Sequence, residues 1–192
     1  MNRKTALITG ATSGIGMACA RRFAVGGYNL IITGRSADKL QALKAELEAG
    51  GVEVLALAFD VCNREATRDA VASIPDAFKP IDVLINNAGL ARGLEPEYEG
   101  DFQDWDEMID TNIKGLLNMT RFVVPGMVSL NHGHVINIGS VAGDAAYAGG
   151  GVYCATKAAV KALTDGLRID VAHTSVRVTN LKPGLVETNF SN

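Results

Sequence analysis

Residues 5–9, T-A-L-I-T, form a short apolar run rich in β-prone side chains, and they lead straight into T-G-A-T-S-G-I-G at residues 9–16. Ile15, Cys19 and Phe23 then recur at helical spacing. A buried strand, a glycine turn and a helix in immediate succession constrain the fold more than any other feature of the chain. Gly10, Gly14 and Gly16 let the backbone come close to a pyrophosphate, while the helix N-terminus supplies free amides and a favourable dipole. A glycine pattern alone reads equally as a flexible loop. Here both flanks favour the phosphate cradle.

The same alternation continues along the chain. Strands are expected at 28–33, 52–59, 81–85, 134–138 and 176–181. Between them a helix with Leu40, Leu43 and Leu47 on one face is capped by Ser36 and closed by Gly50-Gly51. A charged, alanine-rich surface helix follows at 63–73, then a turn between Pro75 and Pro80. After a polar loop at 90–101, a single helix is expected from 101 to about 124, with Trp105, Met108, Ile109, Ile113, Leu116 and Leu117 on its apolar face. Another runs over 151–173. Both helices carry apolar residues on more than one face, including Met119, Phe122 and Val123 on the first. One face would cover a sheet and the other a partner subunit. Strand–helix alternation argues an α/β domain with a doubly wound, mostly parallel sheet. No repeat, low-complexity stretch or linker divides it, so one domain is expected over residues 1–192.

Composition excludes several function classes. With 47% hydrophobic and 20% charged residues the chain can bury a real core, and a net charge of −3 without a basic block gives no nucleic-acid footprint. No run of 18 apolar residues suggests a membrane span, and the N-terminus has no signal-peptide pattern. Cys19, Cys62 and Cys154 lack paired spacing, which suits reduced thiols in the cytoplasm. Cys154 adjoins Tyr153 but points about 100° away on a helix, so it reads as packing. His132, His134 and His173 show no ligand spacing, so no metal is expected.

Candidate chemistry collects at the carboxyl ends of the expected strands. Tyr153 and Lys157 are four residues apart, on one helical face. An ammonium beside a phenol favours the phenolate, so Tyr153 is expected to ionise more easily than a free tyrosine and to act as a general acid or base. Read alone, the pair is better explained by a packed tyrosine and a solvated lysine, and the rest of the chain changes that balance. Ser140, thirteen residues upstream at a strand end, could bond a carbonyl oxygen in the same cleft. Arg35 stands nineteen residues past Gly16, where an acid would hold a ribose 2′-hydroxyl; a cation there fits a 2′-phosphate. Asp60-Val61 could meet an adenine amino group, or Asp60 could cap the next helix. Asn86-Asn87-Ala88-Gly89 could brace backbone beside a cofactor or form an ordinary turn. Asn112, among apolar helix residues, reads equally as bracing or catalysis.

T-G-A-T-S-G-I-G, N-N-A-G, Asn112, Ser140, Tyr153-x-x-x-Lys157 and Pro183-Gly184, all in order, resemble the classical short-chain dehydrogenases/reductases across the whole chain. Within that family, M-I-D-T-N-I-K-G-L, N-H-G-H-V-I-N-I-G-S, Y-A-G-G-G-V-Y and P-G-L-V-E-T-N-F-S-N resemble the NADP-dependent 3-hydroxy acid (serine/allo-threonine) dehydrogenases. The resemblance implies hydride transfer between NADP and a small-molecule secondary alcohol or ketone, such as serine, allo-threonine or 3-hydroxypropionate. It implies Tyr153 as acid/base, and Lys157 as the residue that lowers the tyrosine pKa and holds the nicotinamide ribose. Ser140 would orient the substrate oxygen, and Asn112 would hold a water in a proton relay. Gly10, Ser13, Gly14, Ile15, Gly16, Arg35, Asp60, Val61, Asn87, Ala88, Gly89, Pro183, Gly184 and Thr188 would line the cofactor together with Tyr153 and Lys157. A homotetramer with paired helices is implied too. Family members usually continue past residue 192, so a chain incomplete at its C-terminus is expected. The alternatives are a ketoacyl or sugar reductase using NADPH, and a non-catalytic NADP-binding sensor.

Overall fold

The structure, a computed structural model, describes residues 3–186. Six strands form one sheet: β1 (Thr5–Ile8), β2 (Asn29–Gly34), β3 (Val54–Ala58), β4 (Ile81–Asn86), β5 (His134–Ile138) and β6 (Arg177–Leu181). Their order is β3-β2-β1-β4-β5-β6, and every pairing is parallel. The chain starts in the middle at β1, winds outward to β3, crosses back to β4 and winds the other way. The loops after β1 and β4 therefore part company at the centre of the sheet and leave a crevice there.

Period-two alternation decides which side chain enters which core. Ala6 and Ile8 of β1 join Leu30, Ile32 and Ile85 in one cluster, packed under α1 (Gly14–Val25) and α2 (Ala37–Glu48). Leu7, Ile31, Leu84 and Val135 point the other way. They pack beneath α3 (Arg64–Ala72), α5 (Leu116–Ser129) and the end of α6 (Gly151–Asp170). Strands buried on both faces need near-continuous apolar runs, which is why the expected strands were legible. The turn chemistry holds as well. Ser36 Oγ accepts the Lys39 amide at 3.4 Å at the start of α2, and Asn63 accepts the Ala66 amide at 3.0 Å at the start of α3.

Four expectations need correction. The helix expected over 101–124 is α4 (Phe102–Ile109), a π-helical segment Asp110–Gly115, and α5, which continues through Pro125 to Ser129. A π segment adds a residue to the turn without changing the apolar pattern enough to be read. It lets the rod pass close to Val61, since a Cβ on Gly115 would stand 2.6 Å from Val61 Cγ2. Met119 and Val123, expected to contribute to a second apolar face, are buried against the sheet. Single 3₁₀ turns occupy Asp76–Phe78 and Glu97–Glu99 in the expected turn and loop. The final helix stops at Asp170, short of residue 173.

One row of polar residues interrupts the second core. Asn86, Asn137 and Asn180 stand side by side in register near the carboxyl ends of β4, β5 and β6. Asn86 Nδ2 donates to Asn137 Oδ1 at 2.9 Å, and Asn137 Nδ2 donates to Thr164 Oγ1 on α6 at 3.0 Å. The row lies directly under the loops that carry the candidate site.

Candidate active site

A cleft of about 810 Å³ opens over the carboxyl ends of the strands, at the crevice the topology creates. At one end lies the turn after β1. Gly10 and Gly14 have positive φ, 62° and 52°. A side chain on Gly10 would meet Ala88 Cα at 2.9 Å, so the turn after β1 and the turn after β4 touch there. Thr9 ties the same two turns: its Oγ1 accepts the amides of Asn87 and Ala88 at 3.0 and 2.9 Å. Asn87 Nδ2 returns bonds to the carbonyls of Thr9 and Gly10 at 2.9 and 3.0 Å. Asn87 is thus a brace for the glycine turn as well as a lining residue.

This end suits a dinucleotide. Ser13 caps α1 without placing its side chain on the free amides, and no acidic residue occupies the first helical turn. Those amides and the dipole are open to a pyrophosphate. Ile15 and Gly14 form the adjoining wall. Arg35, exposed at the end of β2, has no carboxylate partner among the described residues and is open to a phosphate. Asp60 and Val61 line the neighbouring wall. Asp60 Oδ1 accepts the Cys62 amide at 2.9 Å, so it shapes its own turn, while Asn63 caps the helix that follows.

At the other end, β5 delivers Ser140 in extended backbone, φ −167°, and the first turns of α6 deliver Tyr153 and Lys157. Ser140 Oγ accepts the Ala142 amide at 3.1 Å, which fixes its rotamer. The same hydroxyl hydrogen-bonds Tyr153. Lys157 is 5% exposed, and its Nζ donates to the Ile138 carbonyl at 2.9 Å. Gly89, Ala88, Pro183 and Gly184 complete the wall.

The electrostatics differ from the sequence expectation. Tyr153 is held above the ordinary tyrosine pKa, because burial outweighs the Ser140 hydrogen bond that pulls it down. Lys157 does not reverse this. Its ammonium lies 5.8 Å from the centre of the Tyr153 ring and is turned to a backbone carbonyl. Burial also lowers its own pKa to about 8.

Two expected site residues, Gly16 of the cofactor set and Asn112 of the catalytic set, stand behind the cleft wall. Gly16 is a packing position: a Cβ there would overlap Asn87 Nδ2 and the Gly10 carbonyl. Asn112, in the π segment, is 2% exposed. It accepts from the Leu90 amide at 2.9 Å and donates to the Leu90 carbonyl at 2.9 Å and to Thr156 Oγ1 at 3.0 Å. It clamps the loop after β4 to α6. A Cβ on Gly89 would lie 3.1 Å from Asn112 Oδ1 and 3.6 Å from Lys157 Nζ, so both side chains close over that glycine. Thr188 lies outside the described residues. Sequence reading missed Thr9, Thr12, Thr111, Thr156 and Tyr147. Only Thr9 carried a local signal, as the residue where a strand meets its glycine turn.

Comparison with known proteins agrees with this arrangement. A family model described as short chain dehydrogenase matches residues 4–192. The NADP-dependent 3-hydroxy acid dehydrogenase YdfG of Salmonella typhi is 55% identical over 186 residues, covering 96% of this chain and 74% of the relative. Serine 3-dehydrogenase of Rhizobium radiobacter is 48% identical, covering 97% of this chain and 74% of that protein. The solved structure of the closed form of serine dehydrogenase complexed with NADP+ superimposes with a TM-score of 0.93 at 50% identity, covering 97% of this chain and 74% of its own.

Proposed function

Because the chain belongs to the short chain dehydrogenase family, we propose that it is an NADP-dependent oxidoreductase acting on a short 3-hydroxy acid such as serine, allo-threonine or 3-hydroxypropionate. One observation carries this reading. Ser140, Tyr153 and Lys157 meet at one end of a cleft whose other end has an open helix N-terminus and Arg35, which has no carboxylate partner among the described residues. The names of the relatives, a 3-hydroxy acid dehydrogenase and a serine dehydrogenase with NADP+ bound, support the choice of substrate and cofactor.

NADP, when bound, supplies the hydride acceptor for oxidation and, in its reduced form, the donor for reduction. The protein must then orient the substrate and move one proton. Ser140, its rotamer fixed by the Ala142 amide, donates a hydrogen bond to the substrate oxygen. Tyr153 takes the hydroxyl proton as the carbinol carbon loses its hydride, and returns it in the reverse reaction. The buried ammonium of Lys157 would hold the sugar of the cofactor and, 5.8 Å from the Tyr153 ring, would favour the phenolate without outweighing burial. Asn112 holds Leu90 and α6 in register behind them, with a lone pair on Oδ1 available to a relay water. Arg35 favours NADP over NAD by about 1–3 kcal/mol, the worth of a charge-assisted hydrogen bond.

The same reading places the enzyme in the cytoplasm, in keeping with the free thiols of Cys19, Cys62 and Cys154. It also makes it a homotetramer, supported by exposed Phe102, Leu117 and Ile169 on α4–α6. Steady-state rates with NADP+ and NAD+ on L-serine, 3-hydroxyisobutyrate and 3-hydroxypropionate, beside acetoacetyl thioesters and sugars with NADPH, test the proposal. Turnover should favour the hydroxy acids with NADP+. Turnover of thioesters or sugars alone, or equal affinity for the two cofactors by calorimetry, would reject it.

A further inference from the structure

We propose that Tyr147 is a substrate-binding residue, and that its hydroxyl holds the carboxylate of the hydroxy acid while Ser140 and Tyr153 hold the reacting oxygen. This assignment rests on the function proposed above. A 3-hydroxy acid carries its carboxylate two bonds from the carbinol carbon, so a second polar anchor must stand beside the catalytic hydroxyls. Among the described residues lining the cleft, the cations are Arg35, at the far end, and Lys157, whose ammonium is bonded to Ile138. Leu90, Ala91, Ala145 and Ala146 line the catalytic end and offer nothing polar. Tyr147 does, and its hydroxyl has no hydrogen-bond partner among the described residues.

The backbone places that ring with care. The Gly150 amide donates to the Tyr147 carbonyl at 3.0 Å, closing a tight turn through Gly149 at φ 74°. The Tyr147 ring then lies flat against Gly150, where any Cβ would overlap its Cε2 and Cζ. Gly150 caps α6, and Tyr153 follows one helical turn later. The phenol edge is therefore presented at the helix N-terminus, beside the Tyr153 side of the cleft. There a bound carboxylate gains the helix dipole as well as the hydroxyl. Half of the Tyr147 surface is exposed, so the group can be reached by a small molecule without rearrangement. The glycine at 150 is explained by this ring: φ there is −109°, which any residue adopts, so steric room is what the position requires.

The test compares wild type, Tyr147→Phe and Gly150→Ala in NADP+-linked oxidation of 3-hydroxypropionate, with NADP+ affinity measured by calorimetry. Tyr147→Phe keeps the ring and removes only the hydroxyl. It should raise KM by about tenfold or more, the loss of a hydrogen bond to a charged group. Its kcat should stay within about twofold, as for an interaction made equally in the ground and transition states. Gly150→Ala, which displaces the ring, should raise KM in the same direction, and NADP+ affinity should hold in both variants. An unchanged KM in Tyr147→Phe overturns the assignment. So does a fall in kcat with a shifted pH profile, which would put the hydroxyl in the proton path instead. Failure of the parent reading is distinguishable, because wild type itself would then turn over no 3-hydroxy acid.

Discussion

Tyr153 and Lys157 sit one helical turn apart, and burial pushes both toward their neutral forms. In the proposed mechanism their roles differ, and so do the expected consequences of removing them. Tyr153→Phe should abolish turnover while NADP+ binding by calorimetry stays close to wild type, because the hydroxyl acts on substrate; near-normal kcat would remove Tyr153 from the mechanism. In wild type, oxidation should accelerate as pH rises, since the base is a phenolate held above its usual pKa by burial. Lys157 has a stability signature. Its folded pKa is about 8 against an ordinary 10.5, so between those values the unfolded chain binds more protons and stability gains as pH rises. Below about pH 8 the cost of burying the charge is present in full. Lys157→Met should therefore lose turnover yet gain up to roughly 3 kcal/mol of stability at pH 7, a gain that fades to nothing by about pH 10.5. Chemical denaturation at pH 7 and pH 10 measures it, and a Lys157→Met variant less stable than wild type at pH 7 would contradict it.

At the scale of elements, the loops that carry the candidate site are held from below by the asparagine row and by β6. The Gly139 amide donates to the Leu181 carbonyl at 2.7 Å, and the Val141 amide to the Pro183 carbonyl at 3.1 Å, on either side of Ser140. Asn180 packs beneath Gly139 so closely that any Cβ there would overlap its Oδ1. That oxygen is buried without a hydrogen-bond partner among the described residues. Gly139→Ala should thus lift the loop and displace Ser140, lowering kcat by about tenfold or more for a shift of a fraction of an ångström. Asn180→Ala in the same chain clears the space and should restore most of the rate. No rescue would mean that glycine is needed at 139 for another reason. The row itself is structural: Asn137→Ala takes one bond from each of Asn86 and Thr164, which keep Thr120 Oγ1 at 3.4 Å and the Val160 carbonyl at 2.6 Å, and should cost about 1–3 kcal/mol in urea denaturation.

For the whole molecule, the sheet's two cores account for Leu7, Met119 and Val123 but leave other apolar side chains in water. Phe102 and Ile169 are 77% and 76% exposed, and Leu117 is 42% exposed. Phe102 stacks edge-to-face on the half-buried Trp105 at 5.2 Å. Exposed apolar side chains on α4, α5 and α6 are what pairing of helices between subunits would cover. Light scattering should give a tetramer at micromolar concentration, and Leu117→Glu with Ile169→Glu should reduce it to smaller species. A stable wild-type monomer would contradict this.

The sequence by itself determined the strand–helix alternation, the parallel sheet, the glycine turn after β1 and the Tyr153–Lys157 pair. Each is a local property: strand burial shows as continuous apolar runs, helical proximity as a spacing of four, and a tight turn as glycine. Tertiary structure alone decided the rest. The bonds of Thr9 to Asn87 and Ala88 join residues 78 and 79 positions apart, and that of Asn112 to Thr156 spans 44. No pattern along the chain encodes such pairings. The π segment carries Asn112, buried behind the wall, and ends at Gly115, where a Cβ would meet Val61, a residue 54 positions earlier. The direction of the Tyr153 shift could not be read from its neighbour in sequence, because desolvation belongs to the finished packing and here exceeds the pull of the Ser140 hydrogen bond.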